Sequence, residues 1–220
     1  MSRGAPSRPP RPASRILDIS PVIGPGVAVW PGDSPLVWEW VSQRARGESV
    51  NLGRVTLSPH TGAHVDAPRH LEDGAPDAAA LPLESFWGPA RVVGWAAGVP
   101  LDRAALEALP WDGVRRALFR TRQPGRPLAY AAGYPAFTPE GAAFLAARGV
   151  QLVGVDTPSV DPFESPDLPA HRAFLAAGVA VLECLELAAA APGDYELVAL
   201  PLRIAGADAT PVRAALRSRD

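Results

Sequence analysis

Short apolar runs, separated by turn-forming residues, make up most of this chain, and their spacing predicts strands and a few short helices. Alternation of apolar and polar residues over four to eight positions is typical of a half-buried strand. The strands predicted in this way are Arg15–Ser20, Val27–Trp30, Leu36–Val41, Val50–Leu57, Ala90–Trp95, Arg116–Arg120, Gln151–Asp156, Val179–Glu183, Tyr195–Leu200 and Val212–Leu216.

Three segments have the start and stop signals of helices instead. Asp102 is a possible N-cap, and Thr138 followed by Pro139 is typical of a helix start, since proline is favoured at the first helical position. Glycine closes the second and third segments. The predicted helices are Leu101–Leu109, the segment from Thr138 to Gly149, and Ala170–Ala177. Eight to ten strands with three short helices predict an α/β or α+β fold with a mixed sheet.

Composition restricts the class of protein. The chain has 220 residues, of which 47% are hydrophobic and 20% charged, values typical of a soluble globular protein with one core. We therefore predict a single catalytic domain over residues 15–220. The Arg/Pro/Ser-rich residues 1–14 lack the apolar segment of a secretory signal and predict a disordered tail.

Charge and cysteine usage exclude further classes. A net charge of −2 gives no reason to expect nucleic acid or an anionic membrane as partner. No apolar run reaches the roughly 20 residues that a membrane span needs. A single cysteine, Cys184, excludes an intrachain disulfide framework and indicates a reducing, cytoplasmic location. Its predicted role is that of a small buried residue.

The segment from His60 to His70 is the clearest sign of chemistry. Its eleven residues contain three of the four histidines, with Asp66 between His64 and His70. Imidazole and carboxylate groups are ligands of zinc-type ions. Pro59, Gly62 and Pro68 argue against a continuous helix, so we expect an irregular loop folded around a metal ion. A His-rich surface loop is the alternative.

Distant residues usually complete a catalytic metal site. The fourth histidine, His171, begins the third predicted helix, and Glu183 ends the strand that follows it. A helix and the next strand can bring two such residues to one sheet edge. The pattern also allows His171 to be a capping residue and Glu183 to face solvent, and it does not decide between these interpretations.

The segment Ser58-Pro59-His60-Thr61-Gly62-Ala63-His64-Val65-Asp66-Ala67-Pro68-Arg69-His70 resembles the signature of the metal-dependent cyclase/formamidase family, and within it the branch of bacterial kynurenine formamidases. Other stretches agree: Val29 to Asp33, Gly154 to Pro162, and His171 followed twelve residues later by Glu183. Ala63 departs from the threonine common in the wider family and resembles the formamidase branch. The similarity runs from about Ile16 to Val212.

This resemblance implies a swivelling β/β/α-type domain that assembles as a homodimer or higher oligomer. It implies two zinc ions, one held by His60, His64 and Asp66 and a second held by Asp66, His171 and Glu183, with manganese or cobalt as possible replacements. It also implies that His70 is the catalytic acid/base and that Trp30 contacts the substrate ring. The residues alone also allow a fourth-ligand role for His70.

The implied reaction is hydrolysis of N-formyl-L-kynurenine to L-kynurenine and formate in tryptophan breakdown. Zinc can lower the pKa of water to about 7 and polarise the formyl oxygen. An imidazole such as that of His70 can move the proton to the departing nitrogen. A sister hydrolase acting on an isatin-like aryl amide and a non-catalytic metal-binding homologue are the alternatives.

Residues near these motifs have more than one possible role. Asp156 and Asp161 can shape the edge of the site or serve turns and helix caps. Core packing is the alternative for Trp30, and it is the expected role of Trp38 and Trp40, because tryptophan usually buries a large apolar area.

Overall fold

Most strands of the chain form one mixed sheet in the computed structural model, which describes residues 15–122 and 128–218. The strands are β1 (Ile16–Asp18), β2 (Val37–Ser42), β3 (Leu52–Thr56), β4 (His64–Asp66), β5 (Trp87–Gly94), β6 (Arg116–Arg120), β7 (Leu152–Val155), β8 (Ala180–Glu183), β9 (Gly193–Val198), β10 (Ala209–Pro211) and β11 (Ala215–Ser218). Within the described ranges, nine of them form a sheet in the order β1-β11-β9-β5-β6-β7-β8-β4-β10, and β2 and β3 form a separate hairpin.

Strands β5 to β8 are parallel, and antiparallel strands flank them on both sides. Parallel neighbours need crossover connections, and a helix lies in each of the three: α1 (Arg103–Glu107), α2 (Pro139–Ala147) and α3 (Pro169–Ala176). The caps form as predicted, because Asp102 accepts the Ala105 N–H at 2.8 Å and Thr138 accepts the Gly141 N–H at 3.1 Å. The predicted fold class, α/β with a mixed sheet and few short helices, is confirmed.

Two apolar cores lie on the two faces of the sheet. Side chains alternate across a strand, so Phe119 of β6 packs with the helices while its neighbour Leu118 joins the second core. That second core also contains Val65 of β4 and Leu216 of β11, which lie near opposite ends of the strand order. The sheet therefore curls around its second core, and this curl brings β4 against the interior.

Two strand predictions are wrong. Val27–Trp30 is a loop held between two turns, closed by hydrogen bonds from the Val27 N–H to the Gly24 carbonyl and from the Asp33 N–H to the Trp30 carbonyl. Val212–Leu216 is not one strand, because β10 ends before it and β11 begins within it. The predicted loop around the histidines, in turn, contains the regular strand β4.

Trp38 and Trp40 do not pack in the core. They lie on the β2–β3 hairpin with 48% and 47% of their surface exposed, in a T-shaped pair with ring centroids 5.5 Å apart. A two-stranded hairpin cannot cover both of its own faces, which accounts for their exposure.

Three further predictions concern the cysteine, membrane spans and the N-terminal tail. Cys184 is buried, as expected. None of the helices in the described ranges has the length and apolar character to cross a membrane. The predicted tail, residues 1–14, lies outside the described residues.

Candidate metal centre

The five side chains predicted as metal ligands meet in one cluster. Strand β4 pairs with β8 in a register that places His64 opposite Glu183. The other members come from the same strand, the preceding loop and the first turn of α3: Asp66, His60 and His171. Every one of the four members on β4, β8 and α3 is buried.

Gly62 shapes the chain between the first two histidines. Its φ of +70° lies in the left-handed region, which glycine adopts without steric cost. A Cβ at this position would also lie 2.8 Å from Cγ1 of Ile23. The resulting turn brings the rings of His60 and His64 to 4.9 Å between centroids, so that both reach the cluster.

The two carboxylate oxygens of Asp66 face two different groups. Oδ1 lies 3.2 Å from Nδ1 of His60 and 3.5 Å from Nε2 of His64. Oδ2 lies 3.2 Å from Nε2 of His171, which is 3.1 Å from Oε1 of Glu183. The cluster thus contains two sets of three donors, each compact enough for one metal ion, and they share Asp66.

Hydrogen bonds outside the cluster orient its two buried histidines. Nδ1 of His64 donates to the Gly62 carbonyl at 2.9 Å, and Nδ1 of His171 lies 2.6 Å from Oδ2 of Asp161. Each ring therefore turns Nε2 toward the carboxylates. Acceptors behind metal-binding histidines commonly set the ring orientation in this way.

Asp161 has a second task at the start of α3. The residue before this helix, Leu168, has a left-handed backbone and makes no side-chain cap. Asp161 instead accepts the N–H groups of Ala170 and His171 at 2.8 and 2.9 Å. Both roles considered for Asp161 are therefore present, since it caps the helix and orients His171.

Asp156 serves the backbone rather than the cluster. Its buried carboxylate accepts the N–H groups of Thr121 and Arg122 and the Thr121 hydroxyl, at 2.7 to 3.0 Å. It thereby anchors the chain after β6, and of the two roles considered, the turn-stabilising one is observed.

Two buried polar atoms support a cation at this position. Among the described residues, Nε2 of His64 and Oδ1 of Asp66 have no hydrogen-bond partner, although an unsatisfied buried polar atom costs about 1–3 kcal/mol. Both atoms belong to the first set of donors. A divalent cation would satisfy both, and the nitrogen and oxygen donors suit zinc, manganese or cobalt.

The electrostatics of the cluster also favour positive charge. Burial opposes ionisation of His64, but contacts with Cys184 and Glu183 outweigh it and raise the pKa of His64 well above its usual range. Burial likewise opposes the charge on His171, whereas the Glu183 carboxylate raises the pKa of His171 strongly. Contacts with His171 and His60 overcome burial and hold the pKa of Asp66 well below its usual range.

His70 lies at the rim of the cluster beside a carboxylate that the sequence did not reveal. Its ring centroid is 4.5 Å from that of His60. Oδ2 of Asp208 lies 3.4 Å from Nδ1 of His70 and 3.0 Å from Nε2 of His60. No spacing pattern connects Asp208 with the histidines, because only the pairing of β10 with β4 brings it there.

A cavity of about 580 Å³ opens above the cluster. Trp30, His70 and Tyr130 line it. The Trp30 ring lies 4.9 Å from that of Phe163 and 6.0 Å, edge to face, from that of Tyr130. Trp30 is thus a wall of the cavity, which an aromatic ligand can stack against.

Comparison with protein families assigns the chain to one of them. A family model described as "Putative cyclase" matches residues 17–162, about two thirds of the chain. The chain belongs to the cyclase family. The resemblance inferred from the histidine segment is thereby confirmed.

Known proteins agree with this membership. The cyclase-family chain is 47% identical to a kynurenine formamidase of Salinibacter ruber, over 92% of this chain and 97% of the relative. A solved isatin hydrolase A from Labrenzia aggregata is 25% identical, with a TM-score of 0.78 over 94% of this chain and 95% of the other.

A third similarity concerns the fold alone. A solved potential metal-dependent hydrolase with cyclase activity is 24% identical, with a TM-score of 0.79 over 94% of the cyclase-family chain and the whole of the other. The kynurenine formamidase and the isatin hydrolase support assignment of the chain to the hydrolases, the enzyme class expected from the sequence.

Proposed function

We propose that the protein hydrolyses N-formyl-L-kynurenine to L-kynurenine and formate, with zinc as its metal. The observation that carries the proposal is a cluster of buried histidines and carboxylates with two unpartnered donor atoms, at the floor of a cavity with aromatic walls. The 47% identity with a kynurenine formamidase supports the choice of substrate.

Two zinc ions fit the donors of the cluster. His60, His64 and Asp66 would hold one, and Asp66, His171 and Glu183 the other. When bound, such ions supply Lewis acidity, which makes water acidic enough to ionise near neutral pH and polarises the formyl oxygen. Manganese or cobalt can bind the same donors.

His70 is the proposed acid/base. Water adds to the formyl carbon, the bond from that carbon to the aryl nitrogen breaks, and the nitrogen leaves as the amine once it receives a proton. His70 lies at the rim between the cluster and the cavity, so its imidazole can take a proton from water and pass it to the nitrogen. Imidazole titrates close to neutral pH, which suits both transfers.

Trp30 is the proposed contact for the substrate ring. Its indole lines the cavity and packs against the ring of Phe163 and, edge to face, against that of Tyr130. Stacking there would hold the aminophenyl ring and fix the formyl group over the metal ligands. Orientation of this kind can lower a barrier substantially without any further chemistry.

A sister activity on an isatin-like cyclic aryl amide is the second candidate, because the fold is also that of an isatin hydrolase at 25% identity. The same donors and aromatic walls suit either substrate. Comparing kcat/KM for N-formylkynurenine and isatin separates the two, and we expect N-formylkynurenine to be preferred.

The decisive experiment is an assay on chelated protein with metals added back. We expect the chelated protein to be inactive and zinc to restore formation of kynurenine, followed by its absorbance. A failure of zinc, manganese and cobalt alike to give turnover would overturn the proposed function. If isatin alone is hydrolysed, the second candidate replaces it.

The proposal extends to the setting of the enzyme. It places the reaction in tryptophan breakdown in the cytoplasm, and it includes assembly into a homodimer or larger oligomer, as the family resemblance implies. Light scattering coupled to size-exclusion chromatography tests the assembly, for which we expect at least twice the mass of one chain. A monomeric mass across the working concentration range would contradict it.

A further inference from the structure

One carboxylate contacts both histidines that lie outside the deeply buried part of the cluster. Oδ2 of Asp208 lies 3.0 Å from Nε2 of His60 and 3.4 Å from Nδ1 of His70. We propose that Asp208 is a positioning residue that sets the ring orientation and tautomer of both histidines at once. This inference rests on the proposed function for the metal ion that His60 would bind and for the role of His70.

The contact determines which nitrogen of His60 is available to a metal ion. A carboxylate accepts, so Asp208 favours a proton on Nε2 of His60, and a metal ion bound at Nδ1 requires that tautomer. The lone pair then lies on Nδ1, which is 3.2 Å from Oδ1 of Asp66 and faces the first set of donors. Without Asp208 the ring could bind through either nitrogen or rotate away.

The same reasoning applies to His70 with the two nitrogens exchanged. Asp208 accepts from Nδ1, so Nε2 carries the lone pair. An unprotonated Nε2 is what an acceptor of the water proton needs. Asp208 would thereby prepare His60 as a ligand and His70 as a base, by accepting from opposite positions of the two rings.

The backbone around Asp208 is firmly held, although its side chain is 44% exposed. Its carbonyl accepts the Ala67 N–H at 2.8 Å, next to β4. The preceding residues are tied to a second loop, because the Ala207 carbonyl accepts the Ala78 N–H at 2.9 Å and the Gly206 N–H donates to Asp77 at 2.6 Å. The backbone therefore holds Cα of Asp208 in place, although the side chain is partly exposed.

Two other histidines provide an internal comparison. His64 and His171 have their own acceptors, the Gly62 carbonyl and Asp161. Loss of Asp208 should therefore affect two of the four histidines of the chain and leave the other two unchanged. A general disturbance of the fold would affect all four.

The test uses the full-length, zinc-loaded protein labelled with ¹⁵N at histidine, together with the Asp208→Ala and Asp208→Asn variants. Long-range ¹H–¹⁵N spectra report the tautomer of each ring, and four histidines keep these spectra assignable. We expect single tautomers in the wild type, protonated at Nε2 in His60 and at Nδ1 in His70. In Asp208→Ala we expect a mixture for His70 and unchanged signals for His64 and His171.

Kinetics and metal binding give independent readouts. Loss of an acceptor behind a metal ligand typically costs about 10- to 100-fold in metal affinity or activity, so we expect Asp208→Ala to lower zinc affinity and kcat by such factors with little change in KM. Asp208→Asn keeps an acceptor oxygen and should recover part of both. It also serves if the alanine variant fails to fold.

Asp161→Asn is the matched control, since it makes the same change at the carboxylate behind His171. It should alter the His171 signals and spare those of His70. Unchanged tautomers, zinc affinity and kcat in Asp208→Ala would overturn the inference, and so would equal changes in all four histidines. Absence of formamidase activity in the wild type would refute the proposed function, while the spectra and zinc affinities would still test Asp208.

Discussion

The metal cluster and the β2–β3 hairpin invert the usual distribution of polar and apolar groups. His64 and Asp66 retain 2% and 1% of their exposure. The hairpin, by contrast, leaves 47–57% of several large apolar side chains exposed: Val37, Trp38, Trp40, Val41, Leu52 and Val55. Burial here follows the availability of partners rather than hydropathy, because the cluster supplies opposite charges and no third strand pairs with the hairpin in the part of the chain that the structure describes.

The largest effect should come from the residue that both donor sets share. Asp66→Asn keeps the shape of the side chain but removes its charge, so we expect zinc binding to fail at both positions and activity to fall below detection. Metal content by atomic absorption checks the first expectation, and the kynurenine assay checks the second.

Asp156→Asn is the control for that experiment. Asp156 is equally buried, but in the described chain its carboxylate accepts hydrogen bonds only from Thr121 and Arg122, away from the metal ligands. It should destabilise the protein and leave the zinc content unchanged. Retention of two zinc ions by Asp66→Asn would show that metal binding does not depend on the charge of the shared carboxylate.

The next largest effect is expected at His70, whose side chain is partly exposed at the rim of the site. His70→Ala should lower kcat by about 10²- to 10⁴-fold, the usual contribution of an acid/base group, with zinc content unchanged. Loss of zinc together with activity would instead make His70 a ligand. An unchanged kcat would show that the reaction does not use His70.

Zinc affinity should also depend on pH in a defined direction. Because the pKa values of His64 and His171 are raised, both rings are positively charged near neutral pH when no metal is bound. Metal binding at Nε2 must release the extra proton from each ring. Apparent affinity should therefore rise with pH, by about tenfold per unit for each proton released, until pH exceeds the raised pKa values.

Calorimetric titrations in buffers of different ionisation enthalpy count the protons that are released. We expect at least two protons per pair of zinc ions near pH 7, one from each of these two rings. A pH-independent affinity between pH 6 and 8 would mean that the buried histidines are already neutral.

The smallest effect is expected on the hairpin. Trp40→Ala should change the free energy of unfolding by about 0.5 kcal/mol or less, as is usual for exposed positions. Trp111→Ala is the matched control, because Trp111 retains only 3% exposure and packs in the core, where the loss is about 3–5 kcal/mol.

Denaturant titration at two protein concentrations measures both variants and separates association from folding. A large loss in Trp40→Ala at every concentration would show that the hairpin supports the fold of a single chain. A loss only at the higher concentration would attribute it to contact between chains.

Local signals in the sequence predicted local structure well. The caps at Asp102 and Thr138 depend on a few consecutive residues, and both form as expected. The proximity of His60, His64 and Asp66 was also predictable, since they lie within seven consecutive residues and Gly62 allows a turn between the first two.

Long-range pairing was not predictable from the residues alone. The register that places His64 opposite Glu183 depends on β4 and β8, which are more than a hundred residues apart. Only the family resemblance connected them. Asp208 was missed for the same reason, and Trp38 and Trp40 were misjudged because alternation predicts a strand without saying whether another element will cover it.

Strand β4 ties the chemistry to the core of the fold. His64 and Asp66 point to the cluster while Val65 between them packs in the second core, so a shift of one residue in register would exchange their places. The aromatic walls of the cavity, by contrast, lie on loops at Trp30 and Tyr130. Substitutions in these loops can therefore change which substrate binds, in evolution or by design, while the metal ligands on β4 stay the same.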